Sequence, residues 1–388
     1  MRVYIGCFGS GLGHASRMLE VAGELTYRGI DLQMSSSGEV ADLLIRRGYP
    51  CHSLPLADVR YSESGEFALK ETMLDWPSIL ARTYQQILQE VANIHRFRPD
   101  AVLSDSALST VLAARILRLP IFTVLNQLNL TSSHGGKGAA ARLLSTGISA
   151  GMGKLWEFSD EVLLPDLPPP YTISEKNLWG SNVEKTRYIG FLIPTESAKP
   201  DAAALDFSGT SRPKIFWQVS GPPRTRTIFL KAALRAAEAL SDRYTFVITG
   251  GSPSLSTHSS RIPGGWYYGW CEIAEYYFRT SDLVVSRAGH GTIGQTITSS
   301  KPSLLVPIPR QPEQEGNAEK AARLGVSLRL SQDDLSVERL QESIEMLLGG
   351  GFQEKAKALG ETARRFDAKK EVVKTIEAAS TGGRRAPG

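Results

Sequence analysis

Residues 281–317, SDLVVSRAGHGTIGQTITSSKPSLLVPIPRQPEQEGN, set a strand, a glycine turn, a helix start, a second strand and a polar loop in one short stretch. That order is the βα unit of a layered α/β fold. Leu283 to Val285 reads as a short buried strand, and Gly289 and Gly291 predict a sharp turn where a ligand can approach the backbone without a Cβ in the way. Thr292 is placed as the N-cap of a helix whose free N–H groups and positive dipole end stabilise an anion such as a pyrophosphate. His290 belongs to the same turn, and Arg287, just after the strand, offers a charge-assisted bond. The run KPSLLVPIP predicts a second buried strand. Its exit loop carries Gln311, Glu313, Gln314 and Asn317, amide and carboxylate groups suited to reading sugar hydroxyls. A plain βα unit with a polar surface loop explains any one of these residues but not the whole string.

The same alternation runs through the chain twice. The first half opens with strand RVYIGCF, loop GSGLGH and an amphipathic helix from about Ala15 to Arg28, then strand DLQMSS, helix EVADLLIRRG and a short strand at 51–54. It resumes with PDAVLSD, a helix over 110–117, PIFTVLN, DEVLLPD and TRYIGFL. Residues 58–76 lack periodicity. The second half restarts at KIFWQVS, followed by a helix in RTIFLKAALRAAEALS and strand TFVITG. Two Rossmann-like domains are expected: residues 1–193 and 213–362, joined by an aperiodic linker at 194–212 and followed by a helix at 363–380 and a disordered tail at 381–388. Facing sheets of this kind put their carboxyl ends at one cleft.

At 388 residues the chain exceeds one ordinary core, and 41% hydrophobic with 22% charged residues is the composition of a globular protein. A net charge of +4 attracts phosphorylated substrates or anionic lipid without implying nucleic acid. Three cysteines without metal-ligand spacing favour free thiols in a reducing compartment. No apolar run is long enough to span a bilayer or serve as a signal segment, so a cytoplasmic protein is expected, with peripheral contact at the inner membrane face left open.

The string 281–317 resembles the nucleotide-sugar signature of GT-B glycosyltransferases. The branch it is similar to includes the bacterial enzyme that adds N-acetylglucosamine to a lipid-linked peptidoglycan precursor and plant monogalactosyldiacylglycerol synthase. The family's Arg-x-Gly-x-x-Thr-x-x-Glu element, which binds the diphosphate and ribose, falls on Arg287, Gly289, Thr292 and Gln295. Its Glu-Gln-x-x-Asn-Ala element, which binds the donor sugar, falls on Glu313, Gln314, Asn317 and Ala318. Gln295 departs from the family's carboxylate and loses charge-assisted strength toward the ribose hydroxyls. The resemblance also implies that Trp270 lies beside the base, with the Cys271 backbone at the uracil edge, and that the last helix crosses back onto the first domain.

Other candidates follow from position. The loop Gly9-Ser-Gly11-Leu-Gly13-His14 lacks the spacing and the following acidic residue of a dinucleotide site. His14 can take a proton from an acceptor hydroxyl or simply bond the backbone at the helix start. Asp105 can orient His14, act as base itself, or cap the next helix. His134 sits in a glycine-rich loop as an acceptor contact or as surface structure. Ser220, Gly221 and Arg224 follow the first strand of the second half and suit a phosphate loop, although Pro222 and Pro223 remove two donors. The resulting expectation is a metal-independent inverting glycosyltransferase without cofactor or D-x-D motif, moving a sugar from UDP to a hydroxyl, with a lipid among the candidate acceptors. A nucleotide-sugar 2-epimerase and a non-catalytic sugar-nucleotide-binding subunit are the alternatives.

Overall fold

The computed structural model describes residues 1–57, 60, 62, 68–127, 154–178, 185–194 and 199–381. In the first lobe the apolar runs become seven strands: β1 (Arg2–Cys7), β2 (Asp31–Ser36), β3 (Cys51–Ser53), β4 (Ala101–Asp105), β5 (Ile121–Val124), β6 (Glu161–Leu164) and β7 (Thr186–Tyr188). They form one parallel sheet in the order β3-β2-β1-β4-β5-β6-β7. Parallel strands covered on both faces need apolar side chains on both, and Ala101, Val102 and Leu103 are all fully buried. The connecting helices are α1 (Leu12–Tyr27), α2 (Gly38–Arg46), α3 (Leu69–Leu74), α4 (Trp76–Phe97), α5 (Leu108–Ile116) and α6 (Glu175–Leu178). Met18, Val21, Ala22 and Leu25 of α1 pack on the sheet at helical spacing.

The second lobe begins with α7 (Ala202–Gly209) and continues with β8 (Lys214–Gln218), α8 (Pro223–Ala239), β9 (Thr245–Thr249), β10 (Ser259–Ile262), β11 (Gly265–Tyr268), α9 (Ala274–Thr280), β12 (Leu283–Ser286), α10 (His290–Thr298), β13 (Ser303–Leu305), α11 (Pro312–Arg323) and β14 (Ser327–Arg329). The sheet order is β10-β11-β9-β8-β12-β13-β14, parallel except for the β10–β11 hairpin. The helices α12 (Val337–Gly349), α13 (Phe352–Ala363) and α14 (Ala368–Thr381) complete the chain. Both sheets reverse their strand order, at β1/β4 and at β8/β12, and those switch points are where open α/β sheets hold ligands.

Several sequence expectations give way. Residues 202–209 were expected in the linker but form α7, capped by Asp201, because Ala203, Ala204 and Phe207 pack against Phe216 and Tyr277. The aperiodic stretch before Trp76 contains α3, and the long α4 behind it, whose buried residues are Glu90, Ile94 and Phe97, was not anticipated. The β10–β11 hairpin, α9, β14 and α12 were not anticipated, their runs being short or polar.

Two clusters join the lobes. Val372, Val373 and Ile376 of α14 are buried with Met18, Val21 and Leu103 of the first lobe. Leu167, Ile173, Phe191 and Ile193 are buried with Ala288, Ile293, Ile297 and Ala318 of the second. The seam is tight: a Cβ on Gly294 would come within 2.9 Å of the Phe191 ring.

Candidate active site

His14, expected in the glycine loop, lies in the first turn of α1, because Gly11 takes a positive φ of 89° and starts the helix before Ala15. His14 Nδ1 is 3.3 Å from Asp105 Oδ2, at the carboxyl end of β4. The Asp105 side chain is fully buried while that of His14 is 21% exposed, so only the imidazole reaches the crevice. Arg17, one helical turn on, donates from Nε to both Asp105 oxygens at 2.9 Å and pairs through NH2 with Oδ1. Burial alone would raise the Asp105 pKa, but the Arg17 cation and His14 overcome it and hold the carboxyl below the usual range. Gly13 has open space where a Cβ would be.

Across the crevice, β12 runs into the turn before α10. The N-cap of α10 is Gly289, so Thr292 stands inside the first turn and does not cap it. Gly289 also has an ordinary backbone, φ −67° and ψ 137°, so no sharp turn explains the glycine. A Cβ on either Gly289 or Gly291 would meet nothing within 4 Å. The turn is open to an approaching group, with helix N–H groups behind it. Near it, Ser286 Oγ and Gln218 Oε1, on paired residues at the carboxyl ends of β12 and β8, are buried without a hydrogen-bond partner among the described residues, as is Gln311 Oε1.

Three expected ligand contacts are already committed to the protein. Arg287 is fully buried; it donates to the carbonyls of Val306, Pro307 and Thr225 and to Gln332 Oε1, and lies 4.5 Å over the Phe229 ring. Burial lowers its pKa to about 9. It therefore braces the turn from beneath and does not clamp an anion above it. Gln314 Oε1 accepts from the Ile308 N–H at 2.9 Å, and Asn317, with no exposed surface, bonds Ala288 O and Asn177. Gln314 fixes the loop between β13 and α11, and Asn317 ties α11 to the turn before α10 and to α6. Glu313 reaches the other lobe near His14, where its Oε1 accepts from Asn126 Nδ2 at 3.1 Å.

The structure adds residues that sequence reasoning passed over. Asn126, just beyond β5, also receives Arg17 NH1 at 3.4 Å. Asp166, beyond β6, accepts the N–H groups of Leu167, Ile173 and Ser174 and lies 3.0 Å from His290 Nε2. Burial opposes its ionisation, yet His290 and Ser174 hold its carboxyl below the usual range. Arg226 pairs with Glu39 of α2 at 2.6 Å while its Nε donates to Gly221 O. Asp105, Asn126 and Asp166 share one signal: each is a polar residue at or just past the carboxyl end of a buried strand.

The remaining candidates are dispersed around this centre. Gly221 needs its positive φ of 102°, beside Ser220, and Arg224 is exposed in the first turn of α8. Trp270 is partly buried and packs on the first lobe's core, beside the buried Cys271, whose thiol is pushed up by burial. Gln295 is half-buried on α10. His134 lies outside the described residues.

Residues 228–374 match the glycosyltransferase family 28 C-terminal domain, and residues 1–142 match glycosyl transferase family 1. An uncharacterized glycosyltransferase of Methanosarcina mazei is 28% identical, covering 97% of this chain and 98% of its own. The UDP-N-acetylglucosamine–N-acetylmuramyl-(pentapeptide) pyrophosphoryl-undecaprenol N-acetylglucosamine transferase of Streptococcus agalactiae is 22% identical over 68% of this chain and 67% of its own. Among solved structures, spinosyn rhamnosyltransferase SpnG complexed with thymidine diphosphate superimposes with a TM-score of 0.67 at 18% identity, covering 97% of this chain and all of that one.

Proposed function

Because the chain is a glycosyltransferase of the GT-B fold, we propose that it moves a sugar from a nucleoside diphosphate, UDP, to an acceptor hydroxyl with inversion and without a metal. The observation that carries this reading is His14, partly exposed at the β1/β4 switch point, on a helix that packs against α10 with its open turn. His14 Nε2 takes the hydroxyl proton as the oxygen attacks the anomeric carbon and the bond to the diphosphate breaks. Charge arriving on the diphosphate meets the N–H groups and dipole of α10 and the His290–Asp166 pair, fixed partners that need no reorganisation. Glu313 is the sugar contact this arrangement leaves available.

A lipid-borne acceptor is the finer reading, supported by α4. Trp76, Leu80, Tyr84 and Leu88 are exposed at four-residue spacing along one face, an apolar stripe suited to a membrane surface. Among the described residues no helix is long and apolar enough to cross a membrane.

A panel of UDP- and TDP-sugars tests the reading, with nucleotide release and product anomeric configuration as readouts. Release that rises with an acceptor, and an inverted product, is expected. Retention would overturn the base mechanism, isomerised sugar would make the protein an epimerase, and binding without turnover would make it a binding subunit.

A further inference from the structure

Arg17 does more than neutralise Asp105. Its NH2 donates to His14 Nδ1 at 2.9 Å, closer than the 3.3 Å from that same nitrogen to Asp105 Oδ2. A guanidinium has only donors, so Nδ1 must offer a lone pair to it, and the ring proton of neutral His14 then sits on Nε2. A base needs the reverse: Nδ1–H donating to Asp105 and a lone pair on Nε2 for the hydroxyl proton. Both arrangements cannot hold at one nitrogen.

We propose that Arg17 is a positioning residue that decides which nitrogen of His14 carries the proton, with Asn126 holding its guanidinium and Glu313 of the donor lobe holding Asn126. The inference rests on the reading of His14 as the base. As described, the site holds the Nε2–H form, with Arg17 between His14 and Asp105. To reach the competent form, the guanidinium releases Nδ1, and crevice water takes the Nε2 proton and returns one to Nδ1, which then donates to Asp105. Charge on the ring does not change. Arg17 NH1 reaches Asn126 Oδ1, and Asn126 Nδ2 reaches Glu313, so a polar path from Arg17 into the second lobe runs to the element that resembles a donor-sugar site. A sugar hydroxyl that takes Glu313 from Asn126 loosens the anchor on Arg17, so donor binding prepares the base.

The test is nitrogen NMR of the full chain labelled at the histidine rings, with His14→Gln assigning the signals. The wild-type protein without donor is expected to show His14 protonated at Nε2 and bare at Nδ1; a proton on Nδ1 overturns the proposal whatever the variants do. Arg17→Met, which keeps length but no donor, is expected to move the proton to Nδ1, and an unmoved proton overturns it. Should that variant not fold, Asn126→Ala removes the anchor without removing charge; a shift toward Nδ1–H is expected, and an unchanged tautomer overturns the coupling across the cleft. Nucleotide release measured on the same samples separates the two levels. Turnover with Nδ1–H in the resting enzyme sinks the Arg17 inference and spares the transferase, whereas no turnover with any donor sinks the transferase itself.

Discussion

His290 and Asp166 meet across the cleft, Nε2 to Oδ2 at 3.0 Å, both buried, and so tie the first turn of the second lobe's α10 to the loop leaving β6. The pair places an imidazole in the first turn of α10, where Arg287, beneath the turn, cannot reach. Asp166→Asn should therefore weaken UDP binding in calorimetry as well as lower stability. Unchanged affinity with lowered stability would leave Asp166 a loop organiser only.

Arg287→Ala should unfold more easily before it binds less. The guanidinium satisfies three carbonyls and an amide in a dry site, and removing it leaves those acceptors unpaired, at a cost of about 2–5 kcal/mol. Urea denaturation measures it. A variant as stable as the wild type but unable to bind UDP would restore the anion-clamp role.

His14→Ala should lose about 10²–10⁴ in transfer rate and keep its donor affinity, since the imidazole is the only exposed member of the His14–Asp105–Arg17 group near the crevice. Steady-state kinetics with direct donor binding decides. Full transfer by His14→Ala alongside loss in Asp105→Asn would move the base to Asp105.

Glycines 289 and 294 stand five residues apart and should respond oppositely. Gly289→Ala meets open space, so the protein should stay stable while UDP binding falls, because the new methyl occupies the ligand's side of the turn. Gly294→Ala drives a methyl to 2.9 Å from Phe191 and should cost about 1–3 kcal/mol of stability. Thermal shift with and without UDP reads both.

Glu90 supplies a pH dependence. It is fully buried on α4 and accepts from the hydroxyls of Tyr4, Ser35 and Thr110, and among the described residues no cation pairs with it. Burial raises its pKa above the usual 4.5, so the folded state holds the proton more tightly than the unfolded chain. Stability from this group is complete at low pH and is lost as pH rises from about 4.5 through the folded value. Glu90→Gln should remove that loss, becoming more favourable relative to wild type as pH rises. A difference that is flat with pH would contradict it.

The sequence by itself determined the layered fold. Strands such as β1, β4, β5, β8 and β12 are runs of apolar residues buried on both faces, and burial of that kind is a local property that composition records. It also located the centre of interest, since Gly289, His290, His14 and Asp105 stand at strand exits, and strand exits at switch points are where ligands meet such sheets. Which groups remain free at that centre was decided only by tertiary structure. Arg287, Gln314 and Asn317 sit in the right string, yet each spends its hydrogen bonds on protein groups the fold brings to it, some from within the string, as Val306, Ile308 and Ala288, and some from outside it, as Thr225, Gln332 and Asn177. Arg17, Asn126 and Asp166 bear no motif, and acquire their roles from partners 88, 187 and 124 positions away in Asp105, Glu313 and His290. A hydrogen bond depends on a few tenths of an ångström between such distant segments, and only the packing of the two lobes sets that distance.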